Sequence, residues 1–168
     1  MEGENLLAES YQNTGLTHSQ TLMVMAEDAL KQCGKKPSDV EAVAVAEGPG
    51  SFTGVRIGVA AAKGFAWGGN LPCYGISTLE AMAESLGTYQ GYVCPVMDAR
   101  RSQVYNALFY VNHGVPERIA PDRAIALSDL AGELKNLSEP VFLVGDGSTL
   151  CYNTLLEEVP NLVLPPEH

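Results

Sequence analysis

The stretch that decides the fold class reads VEAVAVAEGPGSFTGVRIGVAAAKGFAW and occupies residues 40–67. Its first part, Val40 to Ala46, is nearly continuous in small or β-branched apolar residues, as in a strand that is covered on both faces. A glycine-rich loop follows, and the segment from Val55 to Trp67 then has helical periodicity. The order strand, glycine loop, helix is typical of α/β proteins.

The segments on either side extend this pattern. Leu6 to Tyr11 predicts a short strand, and a helix should run from a capping residue, Thr17, to Cys33. Cys73 to Ile76 predicts another strand, and Ser77 opens the next helix with the spacing of a capping box. We therefore expect residues 1–88 to form an N-terminal α/β lobe.

After Gly87 the pattern changes to consecutive strands. Two strands joined by a tight turn should form a hairpin over residues 92–111, and a third strand should follow the next turn. Ser128 is placed to cap a helix, Val141 to Val144 predicts a strand, and a last helix should cover residues 150–158. We expect residues 89–168 to form a second α/β lobe, with the boundary near residues 87–91.

Composition limits the class of partner. The chain carries 10 Lys and Arg against 20 Asp and Glu, for a formal net charge of −10, which disfavours direct binding to nucleic acid. Hydrophobic residues make up 46% of the sequence, as in an ordinary globular protein. The four cysteines form no C-x-x-C pair, so buried free thiols in a reducing cytoplasm are expected. No signal peptide or membrane span is predicted, and a cytoplasmic location follows.

The glycine loop is a candidate anion site. Ser51 or Thr53 can cap the following helix, whose N-terminus attracts anions, and Arg56 lies one turn further on. The loop lacks the lysine of a P-loop and the spacing of a dinucleotide fingerprint, so a simple strand-to-helix connection is equally possible. Arg100 and Arg101, in the turn of the predicted hairpin, form a second candidate group.

The helix after the loop has a surface of small residues. Gly54, Gly58 and Ala62 lie four residues apart, which brings them to one side of the helix. Glycine inside a helix costs about 1 kcal/mol relative to alanine, so close packing should compensate. The packing partner is either the chain's own sheet or another subunit.

Residues for catalysis are not grouped in the sequence. The three histidines form no metal-binding pair, and no nucleophile, base and orienting residue occur together. The pattern favours a protein that is not an enzyme by itself.

Four segments carry a resemblance to a known family: GPGSFTGVRIGVAAAKGFA at 48–66, GISTLEAMA at 75–83, MDARRSQVYNALF at 97–109 and VGDGS at 144–148. In order and spacing the chain resembles the TsaB (YeaZ) family. The resemblance implies an actin/Hsp70/sugar-kinase-like (ribonuclease H-like) fold of two related lobes. It also implies that the family's usual N-terminal strands are missing here and that the second lobe is shortened at its C-terminal end.

The resemblance further implies a role. Family members are non-catalytic subunits in the synthesis of N6-threonylcarbamoyladenosine at position 37 of tRNA, where they scaffold and activate the catalytic paralogue TsaD. The small ATPase TsaE would be a further partner, the chain would form a homodimer when alone, and tRNA would be contacted through the partners. No cofactor or metal is expected; ATP or ADP would bind only at a heteromeric interface, and the isolated chain should bind ATP weakly or not at all.

The family's association surface maps onto two helices of this chain. The resemblance implies partner contacts at Leu22, Met25 and Ala29 on the first helix and at Gly54, Gly58 and Ala62 on the second. Two other classes stay open: a glycoprotease-like metalloenzyme or sugar-kinase-like ATP-binding enzyme, and a homodimeric interaction module with only an indirect link to tRNA.

Overall fold

The structure is a computed structural model that describes residues 1–3, 5–12 and 18–164. It divides into two compact units, Met1–Ile76 and Ser77–His168. The division lies upstream of the predicted boundary, because the helix that begins at Thr78 packs on the sheet of the second unit.

The first unit combines two long helices with a small sheet. Its elements are α1 (His18–Gln32), a short 3₁₀ helix (Pro37–Asp39), β1 (Val43–Gly48), α2 (Phe52–Gly69) and β2 (Cys73–Ser77), which extends by one residue into the second unit. β1 and β2 form a two-stranded sheet, and α2 packs against both β1 and α1. The predicted order strand, loop, helix, strand is therefore confirmed.

Two predictions for the first unit are wrong. Leu6 to Tyr11 is not a strand, since no described residue pairs with this segment, and both end residues are largely exposed. The only pairing among the described N-terminal residues is the isolated bridge between Glu2 and Asn5. β1 is not covered on both faces either, because Ala44 and Ala46 are exposed. The predicted cap Thr17 lies outside the described residues.

Local signals set the ends of the helices. The Ser51 hydroxyl accepts a hydrogen bond from the Gly54 N–H at 3.4 Å, so the predicted cap of α2 is confirmed. The C-cap of α2 is Asn70, which has a left-handed φ of 52°. The Asn70 N–H donates to the carbonyls of Ala66 and Trp67. Gly34, with a φ of +67°, follows α1 as the predicted left-handed stop.

The second unit is built on a five-stranded sheet. Its elements are α3 (Thr78–Glu84), β3 (Gly91–Arg100), β4 (Gln103–Asn112), β5 (Val115–Ala126), α4 (Leu127–Leu134), β6 (Val141–Val144), α5 (Ser148–Leu155) and β7 (Leu162–Val163). The strand order is β5-β4-β3-β6-β7. β3, β4 and β5 pair antiparallel, as the turn signals predicted, whereas β6 lies parallel to both β3 and β7.

Two details of the second unit differ from the sequence prediction. β7 is too short to give a periodic signal in the sequence. The predicted cap of α4, Ser128, is wrong, because β5 runs on to Ala126 and the helix begins at Leu127 without a side-chain cap.

The sheet of the second unit is covered on both faces, which gives three layers. On one face, α3 packs against β3 and β4 through a buried cluster that comprises Leu79, Ala83, Leu86, Val93, Ala107, Phe109 and Val111. On the other face, α4 and α5 contribute Leu130, Leu134, Cys151 and Leu155 to a larger cluster, most of whose other members lie on the strands. Burial of this apolar surface is the main stabilising contribution to the unit.

Polar contacts fasten α3 to the edge strand β5. The Ser77 hydroxyl caps α3 by accepting from the Glu80 N–H at 3.1 Å, and it donates to Asp122 at 2.5 Å. Arg118 pairs with Asp122 and, at 2.9 Å, with Glu80. Its guanidinium also lies 4.6 Å from the ring centre of Phe109. These contacts place α3 in the second unit.

Asn106 is a fully buried polar residue at the centre of the sheet. Its amide nitrogen donates to the Ala107 carbonyl at 2.7 Å, the Pro95 carbonyl at 3.3 Å and the Cys94 sulfur at 3.1 Å. Its carbonyl oxygen accepts from Arg123 at 3.3 Å. The side chain therefore ties β3, β4 and β5 together.

We expect Asn106→Ala to lower the free energy of unfolding by about 2–3 kcal/mol, because it leaves buried hydrogen-bonding groups without a partner. Asn112→Ala, at the exposed end of the same strand, is the matched control and should change it by less than about 0.5 kcal/mol. Urea unfolding followed by circular dichroism measures both changes. Equal effects of the two substitutions would contradict the role of Asn106.

The cysteines fall into two environments, so the expectation of four buried thiols is only half right. Cys94 and Cys151 are fully buried, whereas Cys73 is exposed and Cys33 is half-buried. Burial raises the pKa of the Cys94 thiol and raises the pKa of Cys151 from 9.0 to about 11. Cys73 is exposed because β2 belongs to the two-stranded sheet, where the whole strand is poorly covered.

In the native protein we expect a thiol reagent to modify Cys33 and Cys73 and to reach Cys94 and Cys151 only on unfolding. If all four thiols react equally fast in the native protein, the structure is contradicted.

Because burial raises the pKa of Cys151, the folded state holds its proton up to a higher pH than the unfolded state does. This contribution to stability is complete below about pH 9 and is lost as the pH rises to about 11.

Candidate functional site

α2 presents its small residues to its own chain. A Cβ atom built at Gly58 would lie 3.9 Å from a methyl carbon of Val45 on β1, and one built at Gly54 would meet Ser51 at 3.4 Å. Ala62 lies on the same side and is half-buried. The sequence left open whether these small residues pack on the chain's own sheet or on another subunit. In the structure, Gly58 packs on the chain's own sheet. Partner contact at these three positions stays a prediction.

The three predicted positions on α1 share one helix face. Leu22 is 38% exposed, whereas Met25 and Ala29 are half-buried. Ala29 also lines a cavity of about 520 Å³ between α1, the N-terminal residues and residues 39–42. Leu22 is therefore the most accessible of the three, and their role in binding a partner stays a prediction.

The exposed face of α2 carries the helix's most exposed aromatic side chains. Phe52 is 76% exposed and Trp67 is 88% exposed. Arg56, Ala60 and Lys63 lie between them on the same side and are also exposed. We call these five residues the aromatic–cation stripe.

Sequence reasoning missed most of the stripe. The signal was present, because Phe52 and Trp67 occur at helical positions opposite the small residues Gly58 and Ala62. The predicted partner positions Gly54, Gly58 and Ala62 lie on the other side of α2, away from the stripe.

The N-terminal end of the stripe is concave. Phe52, Thr53, Arg56, Ile57 and Ala60 line a cavity of about 380 Å³ at the surface of α2. The Arg56 guanidinium lies 5.1 Å from the ring centre of Phe52, which holds both side chains at the rim. Such a concavity can accept an apolar side chain beside a cation.

The first candidate anion group lies at the start of α2. Ser51 is engaged as the helix cap, and Thr53 and Arg56 are exposed in the first turns. Arg56 is placed over Phe52 rather than over the loop. The geometry fits the interpretation of the loop as a strand-to-helix connection, and anion binding there stays a prediction.

The second candidate anion group lies in the turn between β3 and β4, in the other unit. Arg100 and Arg101 have left-handed φ angles of 67° and 55°. The Arg100 N–H donates to the Asp98 carboxylate at 2.7 Å, which stabilises this turn. Arg100, the last residue of β3, and Arg101, the first residue of the turn, are both exposed, and anion binding by them also stays a prediction.

The VGDGS segment lies against the end of β3. A Cβ atom at Gly145, which has a φ of +107°, would lie within 2.4 Å of the Val96 carbonyl oxygen, so only glycine fits. The Gly147 N–H donates to the same carbonyl at 3.1 Å, and Asp146 accepts from the Asp98 N–H at 3.3 Å. Asp146 therefore holds the loop between β6 and α5 on the β3 turn.

Residues 1–3, 5–12 and 18–164 contain no group of three or more His, Cys, Asp or Glu that could hold a metal ion. Within the same part of the chain, every helix is too short or too polar to span a bilayer.

Comparison with known proteins identifies the fold class of this chain. The family model described as TsaD, tRNA N6-adenosine threonylcarbamoyltransferase, matches residues 11–154. The structure of YeaZ from Pseudomonas aeruginosa superposes with a TM-score of 0.68 and 25% identity, covering 90% of this chain and 71% of that one. The chain therefore has the α/β fold of the actin/Hsp70/sugar-kinase group, as the sequence predicted.

The particular family follows from sequence relatives. The tRNA threonylcarbamoyladenosine biosynthesis protein TsaB of Bacillus subtilis is 35% identical over 156 residues, which are 93% of this chain and 68% of the relative. The TsaB protein of Escherichia coli is 43% identical over 90 residues, 52% of this chain and 39% of the relative. The chain belongs to the TsaB (YeaZ) family, whose named members are tRNA threonylcarbamoyladenosine biosynthesis proteins.

Substitutions at Gly58 and Gly145 test the packing of α2 on β1 and of the loop between β6 and α5 on β3. Gly58→Ala adds a methyl group at an ordinary contact distance and favours the helix, so stability should stay unchanged or rise by up to about 1 kcal/mol. Gly145→Ala forces a left-handed residue against a carbonyl and should cost about 2 kcal/mol or more.

Thermal unfolding of each variant against the wild type measures these changes. A Gly58→Ala protein that unfolds like the wild type but loses its partner would place that partner directly against Gly58. It would overturn the assignment of this position to intrachain packing.

Proposed function

We propose that this chain is a non-catalytic scaffold and activator subunit of the complex that forms N6-threonylcarbamoyladenosine at position 37 of tRNA. It acts by binding the catalytic paralogue TsaD. The observation that carries the proposal is the 35% identity to the Bacillus subtilis biosynthesis protein TsaB across 93% of this chain. That match extends over both units, so it is a match of the fold as a whole and not of one loop.

The charge of the chain supports an indirect contact with tRNA. With 20 acidic against 10 basic residues, the chain repels a phosphate backbone at long range. The partners therefore supply most of the tRNA contact, and the small ATPase TsaE joins them. A nucleotide binds at a heteromeric interface, if at all, and the complex works in the cytoplasm.

Association of the chain with itself belongs to the same proposal. A homodimer of the isolated chain and the complex with TsaD use overlapping surface on α1 and α2, so the two forms compete. Addition of TsaD should convert the homodimer into the heteromeric complex.

Reconstitution tests the proposal. TsaD, TsaE, tRNA and the substrates of the reaction are combined with and without this chain, and modified adenosine is measured. Modification should be several-fold higher with the chain present, and the chain alone should give none. The Bacillus subtilis relative with its own partners serves as the positive control.

Two outcomes would contradict the proposal. Modification that is independent of the chain would remove the role of activator. Modification by the chain without TsaD would make it an enzyme.

A further inference from the structure

The turn between β3 and β4 has a backbone conformation that its side chains do not favour. Arg100 pairs with Gln103, so Arg101 and Ser102 form a two-residue turn, with φ angles of 55° and 58°. Left-handed backbone at both positions of such a turn favours Asn-Gly, because other side chains strain it. Arg100, with a φ of 67°, adds a third left-handed residue that is not glycine. Strain at consecutive residues supports a function for their side chains.

The guanidinium groups of this turn have no carboxylate partner in the part of the chain that the structure describes. Arg100 and Arg101 are exposed, and neither forms a salt bridge there. The nearby Asp98 carboxylate accepts from the Arg100 backbone N–H at 2.7 Å and so stabilises the turn itself. By contrast, Arg118 and Arg123, the other arginines of this unit, both pair with carboxylates. The two adjacent cations of the turn are therefore available to an anion from outside the chain.

The base of the turn is held by the loop between β6 and α5. Asp146 accepts from the Asp98 N–H at 3.3 Å, and the Gly147 N–H donates to the Val96 carbonyl at 3.1 Å. A turn that is fixed in this way loses little conformational freedom when a ligand binds, which favours affinity.

The charge of the chain favours a carboxylate ligand over a nucleic acid. A net charge of −10 repels a phosphate backbone, which carries a charge at every nucleotide. Asp98 and Asp146 add negative charge at the base of the same turn. A protein carboxylate carries a single charge and matches the planar fork of a guanidinium group. An acidic loop of a protein is therefore the ligand that fits this turn best.

We propose that Arg100 and Arg101 dock an acidic loop of a partner protein in the threonylcarbamoyladenosine complex. This inference rests on the proposed function, and it adds a contact on the second unit to the positions predicted on α1 and α2. Carboxylates of the loop pair with the two guanidinium groups through charge-assisted hydrogen bonds. TsaD and TsaE are the two sources of such a loop, and the experiment distinguishes them.

Calorimetry measures the affinity of the full chain and its variants for purified TsaD, and for purified TsaE once TsaD is bound. Arg100→Asn and Arg101→Asn each remove one guanidinium group and insert a residue that accepts left-handed backbone. Each should weaken binding about threefold, and the double substitution about tenfold, in the arm whose protein carries the loop. The affinity of the double variant should also fall less steeply with rising salt concentration.

Matched controls separate recognition from the structure of the turn. Ser102→Gly relieves strain and keeps both cations, so it should raise the midpoint of urea unfolding and bind like the wild type. Lys135→Gln removes an exposed cation elsewhere in the same unit and should also bind like the wild type. Arg101→Asn should unfold at the same urea concentration as the wild type or at a higher one, although it binds more weakly. A lower midpoint for Arg101→Asn would overturn the assignment of the strain to recognition.

The outcomes separate this inference from the proposed function. If the wild type binds neither TsaD nor TsaE, both are overturned. If the wild type binds and the double variant binds equally well in both arms, the docking role of the turn is overturned and the proposed function stands. A double variant that keeps its affinity for both proteins but loses affinity for tRNA, measured by fluorescence anisotropy, would assign the turn to a phosphate and overturn the proposal.

Discussion

The close packing of α2 on β1 is the constraint on which the first unit depends. Only small residues let α2 lie this close to β1, because a larger side chain at Gly58 would need the space that the Val45 methyl group occupies. Helical geometry then decides the rest of α2. Once Gly54, Gly58 and Ala62 face inward, the residues half a turn away must face outward, which places Phe52, Arg56, Lys63 and Trp67 on the surface. The exposed face of α2 is therefore a consequence of how the helix packs.

The second unit depends on a different arrangement, in which apolar clusters on both faces of one sheet enclose a buried amide. Asn106 satisfies carbonyl groups on β3 and β4 and accepts from Arg123 on β5, so the register of three strands is fixed by one side chain. The end of β3 is fixed in turn by Gly145 and Asp146, since the first allows close approach and the second bonds the Asp98 N–H. The motif segments of this unit thus have structural roles.

Sequence reasoning succeeded where local chemistry decides the outcome. Ser51 capped α2, Ser77 capped α3 and Gly34 ended α1, because each needs only its own neighbours along the chain. It failed where the outcome depends on distant residues. Leu6 to Tyr11 has the composition of a strand, but a strand needs a partner to donate to, and none of the described residues provides one. The exposed face of α2 was missed for the same reason: periodicity identifies two faces, and only β1 shows which one is inside.

The net charge of the chain limits the macromolecules that it can contact directly. A net charge of −10 makes a phosphate backbone an unfavourable direct partner at long range. Arg56 and Lys63 cannot steer the chain toward a long phosphate backbone against twenty acidic residues. The acidic balance therefore supports the proposed indirect contact with tRNA, in which partner proteins supply the phosphate contacts.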